Sequence, residues 1–158
     1  MANTQSMCTS FLGELMTATH NFGVAPIRAA TTADTFKAAL YLTSATIDAS
    51  ATVYTTSGEV TGTNYTAGGV AVTGANVPIA TNASATAGVG YWTPSASIVY
   101  TTVTLTTAFD AVLIYNNSQS NKAVSVHTFG SQTITAGTFT LTMPSNTTTT
   151  ALLRLATT

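Results

Sequence analysis

A mainly β fold, one antiparallel β-sandwich behind a single helix, is predicted by three observations. By count, 36 of the 158 residues are threonine and only nine carry a charge. Threonine is β-branched and stiff at χ1, so it suits a pleated, half-buried surface and disfavours helix interiors. Short segments of period-two alternation then recur along the chain, separated by Gly, Asn, Pro and Ser turn signals. A sandwich or jelly-roll-like barrel fits about seven to nine such strands, and an immunoglobulin-like order fits them equally.

The elements follow in order. Apolar residues Phe11, Leu12, Leu15, Met16, Ala18 and Phe22 recur at three-to-four spacing, which predicts one amphipathic helix over 11–22 with Gly23 as its C-cap. Past Pro26 and the Thr31-Thr32 pair the period becomes two. Over 35–41, Phe36, Ala38 and Leu40 point one way and Lys37 and Tyr41 the other. Val53-Tyr54 and Glu59-Val60 are short strand pieces, followed by a turn-rich run over 61–69. Gly68-Gly69 then opens a strand at Val70-Ala71-Val72. Residues 76–90 read as a strand fragment and a long loop, closed by Tyr91-Trp92.

In the second half, 97–107 alternates, and 111–115 is a continuous apolar run of the kind a fully buried strand carries. The polar stretch 116–121 reads as a hairpin loop. Residues 123–129 form the next strand, with Gly130-Ser131 as its turn. Phe139, Leu141 and Met143 alternate with Thr138, Thr140 and Thr142 until Pro144, and 151–156 supplies the last strand. No self-similarity at a period of roughly 20–50 residues suggests a solenoid or propeller. The expected organisation is therefore an N-terminal arm and helix over 1–30 and a β-sandwich domain over 31–158.

Composition narrows the function classes. Charged residues make up 6% of the chain against about 25% in an average soluble domain, so hydroxyls and amides wet its surface. Such a surface does not keep neighbours apart by charge repulsion, and it costs little to desolvate in an interface. A net charge of −1 gives no footprint for nucleic acid or an anionic membrane. No stretch approaches the ~20 apolar residues of a membrane helix. MANTQSMCTS lacks a basic and an apolar region, so no secretory leader is expected. Cys8 is the single cysteine, which excludes an internal disulfide framework and fits synthesis in a reducing cytoplasm.

No catalytic, cofactor or metal residues are assigned. His127, Asp110 and one of many serines can be drawn as a triad, but no nucleophile elbow frames them. His20 falls near the helix end, where a cation suits the dipole. The acids Glu14, Asp34, Asp48, Glu59 and Asp110 are isolated, without a calcium-loop spacing or the paired carboxylates of a glycosidase. The glycine-rich runs at 66–69 and 87–90 lack the Lys-Ser/Thr of a phosphate loop. Sequons at Asn64, Asn82, Asn116 and Asn146 are a by-product of abundant hydroxyl residues.

The candidate contacts are apolar. Phe11, Leu15 and Phe22 form the buried-face stripe of an anchoring arm, and Tyr91-Trp92 are adjacent aromatics able to hold a partner side chain or a sugar ring. A single tryptophan more commonly plugs the end of a sandwich.

Taken together, several stretches carry a resemblance. They are His20-Asn21-Phe22, the run from Asp34 to Tyr41 into Thr43-Ser44-Ala45-Thr46, the run from Glu59 to Val70, and Ala111-Val112-Leu113-Ile114-Tyr115-Asn116. In this order they resemble a family of small tailed-bacteriophage virion structural proteins, over roughly residues 11–156. The resemblance implies a β-rich accessory protein of the virion, made in the host cytoplasm, and no active residues. It implies a capsid decoration or cement protein, a homo-oligomer such as a trimer, partnered with the major capsid protein or other virion proteins. The alternative is a tail, nozzle or fibre-attachment component with carbohydrate binding through Tyr91 and Trp92.

Overall fold

The computed structural model describes residues 3–8, 11, 15, 19–20, 22, 33–74, 78–81 and 89–156. The chain is mainly β, with two antiparallel sheets. The strands are β1 (Ser6–Met7), β2 (Phe36–Leu42), β3 (Val70–Val72), β4 (Ile79–Ala80), β5 (Val89–Trp92), β6 (Ile98–Asn116), β7 (Lys122–Leu141) and β8 (Leu153–Ala156). One sheet has the order β1-β7-β6-β2-β3 and the other β4-β5-β8. Most of the expected helix over 11–22 lies outside the described residues.

The dominant element is one long hairpin, and here the sequence reading needs correcting. The segments 97–107 and 111–115 are a single strand, β6, and 123–129 and the Phe139 run are a single strand, β7. Gly130-Ser131 is not a turn; the strand passes through it. Bulges rather than turns break the hairpin. Its register shifts repeatedly between Tyr100 and Ala111, and Thr102 and Ala136 take positive φ of 54° and 47°. Each bulge bends its strand and raises the local twist, so a local break in alternation mimics a turn.

The bent hairpin folds onto its own face. Ile98 and Leu141 at its open end share a small apolar cleft with Val112, Ile114 and His127 near its loop end. Phe109 meets Phe139 edge to face, and the Tyr100 hydroxyl donates to the Ala38 carbonyl of β2 at 2.8 Å. The loop closes over 117–121, with Ser120 and Asn121 left-handed, and the Asn117 N–H donates to Thr35. The core therefore sits between the two halves of one hairpin, with β2 as the central companion strand, all but one of its residues from 36 to 41 buried.

The turn-rich run is a second structural device. Val60 N–H donates to Leu40 along the edge of β2, and Thr63 and Thr104 exchange backbone hydrogen bonds. Gly69 is required where this run enters β3. Its φ is +69°, and a Cβ there would sit 1.6 Å from the Ala38 carbonyl oxygen.

The arm is joined to the sheet. β1 pairs with β7 at Ser6↔Val126 and Met7↔Ser125, and Cys8 and Phe11 are buried. β1 was not expected from the sequence; two residues are too few to show a period.

Candidate functional site

The second sheet, β4-β5-β8, carries an apolar opening on one face. In antiparallel pairs, residues opposite one another share a face. Gly90 faces Leu155, and Trp92 faces Leu153. Between these side chains Gly90 contributes none, and a Cβ there would meet only the Leu155 carbonyl oxygen, 3.9 Å away. A gap in the side-chain layer results. Met7, Phe11, Leu15 and Phe22 line the facing side, and Pro78 and Ile79 flank it, enclosing about 220 Å³.

All five contacts singled out from the sequence, Phe11, Leu15, Phe22, Tyr91 and Trp92, line this one opening. They do not contribute alike. Trp92 is only 6% exposed; its ring is edge-on to Phe22 at 4.8 Å and tilted against Phe36 at 6.0 Å. Phe22 stacks on Phe36 at 4.6 Å, and Phe11 meets Phe22 edge to face. The indole therefore closes the floor of the opening and offers no broad face on which a sugar ring can lie.

The residues at the rim were missed by sequence reasoning. Ile79 is 46% exposed and Leu155 43% exposed, two of four large apolar side chains left that open among the described residues. Leu155 repeats the inward position of Leu153 two residues on, a signal that was present. Ile79 stands alone after Pro78 in a small-residue stretch, which gives no period to read.

Polar groups gather elsewhere, around Glu59. This carboxylate is 6% exposed and accepts three hydrogen bonds: from Tyr54 Oη at 2.6 Å, Tyr65 Oη at 2.7 Å and Gly68 N–H at 2.7 Å. Tyr65 Oη in turn accepts from the Leu40 N–H, and Tyr115 donates to Gly68 O while stacking on Tyr54. Burial, and the negative charge of Glu59 beside it, push the Tyr115 phenol up to about 12 and hold the Tyr41 and Tyr65 phenols above their usual range. All these hydroxyls stay protonated and donate. The cluster pins the 59–69 run to β2.

A second polar knot joins the arm to the hairpin loop. The Asn116 amide oxygen accepts from Ser118 and Gln119 N–H, so its NH₂ points at His20 Nδ1 (3.0 Å) and Asp34 Oδ2 (2.8 Å). His20 is buried against Phe11 here, while the helix whose end it was expected to occupy lies mostly outside the described residues. Asn116 is fully buried, so that sequon is closed to modification in the folded chain.

The triad drawn from the sequence is half assembled. Ser125 Oγ lies 2.9 Å from His127 Nε2, but Ser125 is 1% exposed, and Asp110 instead accepts from Asn3. Burial lowers the His127 pKa to about 4, so its ring is neutral near pH 7. A nucleophile sealed from solvent cannot meet a substrate, and the pair reads as a satisfied buried hydroxyl.

Among the described residues no group of three His, Cys, Asp or Glu side chains could hold a metal ion, and no helix is long and apolar enough to cross a membrane. Comparison with protein-family models, curated proteins and solved structures returned no match.

Proposed function

We propose that this chain is an assembly protein that works by docking on other protein subunits, as a decoration or cement protein on the head of a tailed phage. The observation that carries the reading is the apolar opening on the β4-β5-β8 sheet, rimmed by exposed Ile79 and Leu155. An apolar cavity of about 220 Å³ is poorly hydrated and favours an apolar side chain over water. It lies in a surface with few ions to desolvate, where a large interface forms at low cost. The order of segments that resembles tailed-phage virion proteins supplies the location, and the major capsid protein supplies the repetitive surface.

The finer architecture belongs to the same proposal: two layers built from one folded hairpin form a sandwich of the kind common in accessory shell proteins. The chain acts as a homo-oligomer across neighbouring shell subunits, is made in the host cytoplasm and ends in the virion. It performs no chemistry of its own.

Immunogold labelling of purified particles, with antibody against the recombinant chain, tests this. Dense label over heads is expected, together with shells that burst at lower temperature when the protein is absent. Label confined to tails would instead support the attachment role, and bare particles would remove the virion altogether.

A further inference from the structure

We draw no further inference here: the strongest candidate, the apolar opening on the β4-β5-β8 sheet together with the outer edge of β8, belongs to the site already described, and nothing in the structure shows what covers it.

Discussion

Glu59 and His127 show how little a residue's identity says about its work until its neighbours are known. Glu59 is one of five acids that look isolated in the sequence, yet five of the six tyrosines, Tyr41, Tyr54, Tyr65, Tyr100 and Tyr115, lie close enough for its charge to act on them. Those contacts join residues far apart in the chain, and no local spacing encodes them. Removing the carboxylate leaves three donors without an acceptor. Glu59→Ala is expected to cost about 3–5 kcal/mol in urea unfolding, against about 1–2 kcal/mol for Tyr54→Phe, which removes one donor. Equal, small losses would mean that water takes over the acceptor role. His127 gives a pH dependence. Its folded pKa of about 4 lies below the unfolded value of ~6.5, so the unfolded chain binds the proton more readily. Stability is then full above about pH 6.5 and falls as pH drops toward 4, by about 1–3 kcal/mol. Unfolding midpoints measured from pH 7 to pH 5 should fall for the wild type and flatten in His127→Gln. An unchanged slope in the variant would assign the effect to another group.

At the scale of elements, the strands that were legible are those with long, regular alternation. β2 was found as 35–41 against Phe36–Leu42, and Val70–Val72 was found from its Gly68-Gly69 entry. The hairpin loop over 116–121 was also legible, since its polar run is uninterrupted. What misled the reading was irregular pairing within one strand. A bulge adds a residue to one side and flips the facing of everything beyond it, so β6 and β7 each read as two strands, with Gly130-Ser131 as a turn in β7. The same bulges serve a purpose at the surface. The outer edge of β7 beyond Thr128 is long and carries neither charge nor proline. Kinks near Phe129–Ser131 and at Ala136 break its regular row of N–H and C=O groups, which limits pairing with other chains. β8 has no such break, and its register with β5 is regular throughout. Of the candidate contacts, the apolar arm residues and Tyr91-Trp92 were readable by type. Their convergence was not, because it depends on β1 pairing with β7 and on Gly90 leaving a gap.

For the whole molecule, scarce charge and one localised apolar opening are complementary facts. Nine charged residues spread over the chain leave most of its surface to threonine and other hydroxyl side chains, which exchange water for protein partners at modest cost. On the docking role proposed above, affinity comes from a small apolar centre, and the opening that Ile79 and Leu155 line is the candidate for it. The most direct test is a titration of the purified chain onto particles that lack it, comparing the wild type with Ile79→Asp/Leu155→Asp. Both side chains are exposed, so the double variant should fold and melt like the wild type. Saturable binding that weakens by on the order of a hundred-fold in the variant, as two buried charges at an apolar centre require, is the predicted result. Equal binding by the two proteins would contradict the account.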